Sequence, residues 1–193
     1  MEKKSHYPKI LKSFKNETAL LIKNGNIGVI PTDTIYGIVG SALNKKAVEK
    51  IYKLRRRNPK KPMIILISQI SDLKKFKIPS LSIFYFPFSK FWPGKVSIIL
   101  PCPSSKFKYL HRGAKSLAFR LPKDKKLRTF LKKTGPLVAP SANIEGKSPA
   151  KTVKEAQKYF GAKVYFYINA GKLNSKPSKL LKLTEAKMKY IRK

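Results

Sequence analysis

The chemistry open to this chain rests with short clusters of small polar and cationic residues. They are Thr32-Asp33-Thr34, the basic segment from Lys53 through Arg55, Arg56 and Arg57 to Lys61, Ser116 with Arg120, and Ser141-Ala142-Asn143 with Ser148. Hydroxyls, amides and guanidiniums at strand ends can converge on one cleft, and backbone N–H groups in such loops hold anions. Arginine is scarce, 7 residues against 37 lysines, so the run Arg55-Arg56-Arg57 concentrates planar, bidentate phosphate recognition in one place. Taken singly each residue has a plainer reading: Thr34 as a turn former, Ser141 as a helix cap, Arg57 as a solvated cation.

Other machinery is missing. Gly146-Lys147-Ser148 has the ending of a phosphate-binding Walker loop, but the residue five before Gly146 is Ser141, and neither a G-x-G-x-x-G nor a G-x-S-x-G motif occurs. A hydrolytic triad would need His6 or His111, and His111 beside Arg112-Gly113 reads as a loop residue. With 9 Asp and Glu in all, paired-carboxylate catalysis is poorly supplied. Cys102 with two distant histidines makes no metal-ligand spacing, so neither a structural zinc nor another protein-held metal is expected. An enzyme built from these residues works by binding and electrostatics.

Elements must position those residues. Ile10, Leu11, Phe14, Ala19, Leu21 and Ile22 share a helical face that ends at Asn24-Gly25-Asn26. Apolar runs Ile27 to Ile30 and Ile35 to Val39 read as strands around the Thr32-Asp33-Thr34 loop. Helices are expected over Lys45 to Arg56, from Ser71 as cap to Phe76, over Leu127 to Lys133 and over Thr152 to Phe160, with an aromatic-rich helical stretch from Leu81 to Trp92 broken at Pro87. Further strands are expected over Met63 to Ile67, Val96 to Leu100, Ser116 to Leu121, Leu137 to Ala139, Val164 to Ile168, Leu180 to Leu183 and Met188 to Ile191. That many strands exceeds a simple βαβ repeat and points to an α/β fold with a mixed, twisted sheet and flanking helices.

The 193 residues, 42% apolar and 11% aromatic, suffice for a sizeable core in a single domain over 1–193. No apolar run approaches a bilayer span and the N-terminus has no signal-peptide core, so a cytoplasmic protein is expected. The formal charge of +35 would attract RNA and nucleotide phosphates; a lysine-biased composition accounts for it equally well.

In combination, Pro31-Thr-Asp-Thr-Ile-Tyr-Gly37, the basic segment Lys53 to Met63, Trp92 to Leu100, Ser116-Leu-Ala-Phe-Arg-Leu-Pro122 and Pro140-Ser-Ala-Asn-Ile-Glu-Gly146 resemble, in order and spacing, the YrdC-like family over about residues 15–192. The resemblance implies a concave positive cleft. It also implies formation of threonylcarbamoyl-AMP and pyrophosphate from L-threonine, bicarbonate and ATP, for tRNA modification with downstream protein partners. Carried over by motif, Arg55, Arg57 and Lys61 form the catalytic basic segment. Arg57, Lys61, Ser116, Ser141, Asn143, Ser148 and Arg192 meet ATP, and Thr34, Arg120, Ala139 and Ser178 meet threonine. Mg²⁺ is expected to arrive with ATP, given the shortage of acids. Arg55 stands where the family has lysine, Asn58 where it has proline, Ser97 where threonine is common, and Lys179 follows Ser178 where threonine is usual. Two other readings stay open: a non-catalytic RNA-binding module using the same basic cleft, and a related enzyme acting on another acceptor.

Overall fold

The computed structural model describes residues 7–78, 87–183 and 188–192. His6 and residues 81–86 of the aromatic stretch lie outside them. The strands are β1 (Lys9–Leu11), β2 (Gly28–Ile30), β3 (Gly37–Ser41), β4 (Ile64–Leu66), β5 (Val96–Pro101), β6 (Ser116–Arg120), β7 (Leu137–Val138), β8 (Phe166–Ile168), β9 (Lys179–Leu183) and β10 (Met188–Arg192). The α-helices are α1 (Asn16–Lys23), α2 (Lys45–Arg55), α3 (Lys108–His111), α4 (Lys125–Thr134) and α5 (Val153–Phe160).

One 10-stranded sheet runs β1-β8-β2-β3-β7-β4-β6-β5-β9-β10. Pairing is parallel for β1/β8, β8/β2, β4/β6 and β5/β9, and antiparallel for the rest. The sheet is therefore mixed, as the strand count requires. Successive side chains on a strand face opposite ways, and the core divides accordingly. Val29, Ile38, Ile65, Val138 and Tyr167 pack on one face with Val48 and Ile51 of α2 and Ala156 and Phe160 of α5. Ile30, Val39, Leu66, Leu137 and Phe166 pack on the other with Ala19 and Ile22 of α1 and Leu127, Phe130 and Leu131 of α4. Both faces are covered, which is why the central strands read as unbroken apolar runs.

Helix α2 starts where Asn44 accepts the Ala47 N–H at 3.0 Å and ends at Arg56, which takes the left-handed conformation at φ 49°. It lies close over β3 because Gly40 has no side chain: a Cβ there would stand 3.0 Å from Ile27 and 3.2 Å from Ile51. The ring of Phe166 fills the space beside Gly28 in the same manner. Gly28→Ala is expected to cost about 1–3 kcal/mol by overpacking, read as a lowered urea midpoint at unchanged slope.

Some sequence expectations are corrected. Lys9–Leu11 is a strand paired with β8, not the start of a helix; the helix begins at Asn16, and Ile10 is 56% exposed. The pairing with β8 is remote in sequence and leaves no local periodicity. Near residue 70 the element is a 3-10 helix over Ile70–Phe76 capped at Gln69, not Ser71: the carboxylate of Asp72, in its first turn, accepts the Ser68 N–H (2.9 Å), the Ser68 hydroxyl (2.7 Å) and the Gln69 N–H (3.3 Å). His111 is not in a loop but ends α3, buried, with Nδ1 accepting the Gly113 N–H at 3.1 Å and Nε2 3.3 Å from the Ser104 carbonyl. Both ring nitrogens are thus engaged by backbone. Among the described residues no helix is long and apolar enough to cross a membrane.

Candidate active site

A cavity of about 380 Å³ opens where β3, β4, β6 and the segment after β7 meet. Thr34, Arg55, Arg57, Ser116, Arg120, Ala139, Ser141, Ser178 and Arg192 all line it, beside apolar surface from Ile64, Ile99, Ala118 and Leu180. Among the described residues its lining includes guanidinium side chains and no carboxylate. A second cavity of about 600 Å³, between the segment leading into α1 and α4, shares Thr32 with the first and holds none of the residues expected to meet ATP or threonine.

One polar cluster hangs on the loop after β2. The Thr32 hydroxyl donates to the Ile35 carbonyl at 2.7 Å and accepts the N–H groups of Thr34 and Ile35, both at 3.2 Å. Its hydrogen being used, the 3.0 Å contact between the two threonine hydroxyls has Thr34 as donor. Arg120, at the end of β6, donates from one terminal nitrogen to Thr34 Oγ1 at 3.1 Å. Its other terminal nitrogen lies 3.2 Å from Asp33 Oδ1, a close ion pair without hydrogen-bond alignment, since that oxygen has no hydrogen-bond partner. Asp33 Oδ2 accepts the Lys123 N–H at 3.1 Å. Arg120 is buried and its Nε–H has no hydrogen-bond partner among the described residues. Burial pushes its pKa down, opposed by Asp33 and reinforced by the charge of Arg192. Such a guanidinium is poised for a carboxylate.

A second cluster joins the end of α2 to the loop after β7. Arg55 donates through Nε to the Asn143 carbonyl (3.0 Å), and through one terminal nitrogen to Asn143 Oδ1 (3.1 Å) and Ser141 Oγ (3.2 Å). The other terminal nitrogen is buried and has no hydrogen-bond partner among the described residues. Burial, then the neighbouring charge of Arg57, push the Arg55 pKa down to about 10. The fold holds this cation charged at a cost that an incoming anion would offset. Arg57 donates to the carbonyls of Lys61 (3.1 Å) and Pro62 (2.9 Å), which fixes its plane with terminal donors to spare.

The C-terminal hairpin supplies the remaining wall. The hydroxyls of Ser178 and Ser97 lie 2.9 Å apart, and Arg192 donates to the Ser178 carbonyl at 2.9 and 2.7 Å from two nitrogens. Ser178 therefore anchors Arg192 at the cavity as much as it lines it.

Three sequence-selected residues stand off the lining. Lys61 is exposed and pairs with Glu145 at 3.3 Å. Asn143 sits behind Arg55, its amide donating to the carbonyls of Ile144 (2.8 Å) and Lys147 (2.7 Å). Ser148 is exposed, its carbonyl accepting the Tyr159 hydroxyl at 3.0 Å. Sequence reasoning passed over Asp33 and Ser97, which hold cavity residues in place, and Tyr36, which lines the cavity while its hydroxyl ties to Gly171 at 2.8 Å. All three lie inside singled-out motifs, Ser97 as a departure from the usual threonine, but the motifs alone assign them no partner.

Among the described residues no group of three or more His, Cys, Asp or Glu side chains is placed to hold a metal ion. Comparison with known proteins gives concordant matches. Residues 20–193 match the Sua5/YciO/YrdC family profile, described as "Telomere recombination". A Bacillus subtilis relative named threonylcarbamoyl-AMP synthase is 34% identical over 138 residues, 70% of this chain and 40% of its own. A Methanocaldococcus jannaschii relative, provisionally named for the same activity, is 35% identical over 185 residues, 95% of this chain and 85% of its own. Among solved structures, Pyrococcus abyssi Sua5 complexed with L-threonine superposes with a TM-score of 0.84 at 26% identity, covering 95% of this chain and 56% of that one. The chain thus spans less than half the length of the B. subtilis relative and just over half that of the P. abyssi protein, and most of the M. jannaschii one. With the match running from residue 20 to residue 193 and the fold shared along its length, this chain belongs to the Sua5/YciO/YrdC family.

Proposed function

We propose that the chain forms threonylcarbamoyl-AMP and pyrophosphate from L-threonine, bicarbonate and ATP. The observation that carries this reading is a cavity that, among the described residues, has no carboxylate in its lining and has two buried guanidiniums, Arg120 and Arg55, each keeping a nitrogen unpartnered among those residues and each fastened to a small hydroxyl residue, Thr34 and Ser141 respectively. One suits an amino-acid carboxylate and the other a phosphate. The relatives named for this activity and the P. abyssi structure complexed with L-threonine support the reaction itself.

In this reading Arg120 takes the threonine carboxylate, and Thr34 Oγ1, already donating to Thr32, keeps a lone pair for the substrate. A lining without carboxylates and with several guanidiniums disfavours an ammonium, so the bound amine is drawn toward its neutral, nucleophilic form. The amine and bicarbonate give carbamate and water. A carbamate oxygen then attacks the α-phosphorus in line, its bond to the bridging oxygen breaks, and pyrophosphate leaves. No covalent protein nucleophile is needed. Arg55, Arg57 and Arg192, with the hydroxyls of Ser116 and Ser141, gather the phosphates and offset charge growing on their oxygens. Ala139 and Ser178 complete the amino-acid side, while Lys61, Asn143 and Ser148 act from the rim and from behind. Mg²⁺ enters as part of the nucleotide substrate. The product is a mixed carbamic–phosphoric anhydride, suited to carbamoylating an amine such as that of a tRNA adenosine.

Pyrophosphate release is expected to require threonine, bicarbonate and ATP together, with the adenylate detected by mass spectrometry. Undiminished release with threonine or bicarbonate left out would sink this reading. RNA binding that is tight, sequence-selective and salt-resistant without any adenylate would favour the RNA-binding module instead.

A further inference from the structure

Arg57 is held by carbonyls of its own loop, and one of those carbonyls is fastened from outside. Its Nε–H and a terminal N–H reach the carbonyls of Lys61 and Pro62. The loop that carries them is exposed at Asn58, Pro59, Lys60 and Lys61, so it has little packing of its own. The Tyr52 hydroxyl donates to the same Lys61 carbonyl at 2.9 Å. Tyr52 is 5% exposed, within the face of α2 that packs on the core, and its peptide carbonyl accepts the Arg57 N–H at 3.0 Å. Its ring is gripped in turn: the Arg112 guanidinium lies 3.9 Å from the ring centroid and donates to Glu49 at 2.8 Å. Burial raises the phenol pKa, which keeps it a neutral donor. The loop's other face is held by Glu145, which accepts the Asn58 N–H.

We infer that Tyr52, gripped by Arg112, is a positioning residue that aims Arg57 at the nucleotide phosphates through the Lys61 carbonyl, a role that rests on the proposed reading of Arg57 as a phosphate ligand. A tyrosine kept only for the core needs its ring; this one also uses its hydroxyl on the single loop that carries Arg57.

Tyr52→Phe keeps the ring and its cation contact and removes the hydroxyl. It is expected to raise the KM for ATP about five- to tenfold, the effect of one hydrogen bond, with kcat and the threonine KM within about twofold of wild type. In an Arg57→Ala background the same change should add nothing, because the pair acts as one unit. Arg112→Met, which frees the ring from its other side, should give the same ATP-selective, Arg57-dependent defect and serves if Tyr52→Phe folds poorly. An unchanged ATP KM, an equal rise for threonine, or an effect undiminished without Arg57 overturns the role. Calorimetric titration of the wild-type chain with ATP separates the two levels: no ATP binding there removes the proposed function and this role with it, whereas wild-type binding with an indifferent Tyr52→Phe removes the role alone.

Discussion

Arg120→Ala is expected to raise the threonine KM by about two to three orders of magnitude while the ATP KM stays within about threefold, from the ~2–5 kcal/mol that a truncated, enclosed charge partner costs. Arg120 brings its charge to the Thr34 hydroxyl and has a buried donor left over. Truncation also strips Asp33 of its cation in a place where the carboxylate is nearly inaccessible, and breaking such a pair destabilises the fold by about 3–5 kcal/mol. Arg120→Lys separates the two effects. It keeps a cation for Asp33 and so most of the stability, but a lysine cannot reproduce the planar fork that serves Thr34 and a carboxylate together. Its threonine KM should still rise by at least about tenfold. Threonine kinetics unaffected in both variants would show that the amino acid binds elsewhere.

The second large effect is expected at the opposite cluster, where Arg55 and Arg57 should part company. Arg57→Ala removes a half-buried cation whose partners are carbonyls of its own loop, so ATP handling should fall by about 2–5 kcal/mol with little change in unfolding free energy. Arg55→Ala should damage both. It unties α2 from the Ser141–Asn143 loop and strands the Asn143 carbonyl and side-chain oxygen, at about 1–3 kcal/mol for each group left unsatisfied. Lys61→Ala should be milder than either, because Lys61 is exposed and its partner is Glu145. Calorimetric ATP titrations alongside urea unfolding test the ordering; equal ATP losses for all three with no stability difference would refute it.

Much of this was readable in the sequence, for a physical reason. The apolar runs of β2, β4 and β7 are unbroken because helices cover both sides of the sheet, and the Thr32–Thr34 and Ser141–Asn143 clusters follow β2 and β7, while Arg120 ends β6. The clusters could be found as motifs, but their mutual geometry could not. Arg55 reads as one of three adjacent arginines, yet it alone is swallowed by the protein and bonded to Asn143, 88 positions away. Ser178 reads as a substrate contact, and its hydroxyl proves to be shared with Ser97. Ile10 and Leu11 read as helix because a short edge strand paired with a distant one has no period of its own. Tyr52 belongs to the core, and a hydroxyl's partner is invisible in a helical pattern.

The position of β7 has a kinetic corollary. This strand of two residues is wedged between β3 and β4, both of which precede it by many residues, and Ala139 to Asn143 follow directly from it. Until β7 is seated, the facing edges of β3 and β4 have no common partner, and Ser141 and Asn143 cannot reach Arg55. Closing that seam joins segments remote along the chain, the slow kind of step in folding. The cavity is thus the product of a late zippering event, and recovery of nucleotide binding after dilution from denaturant should track the slowest refolding phase and not the appearance of helices.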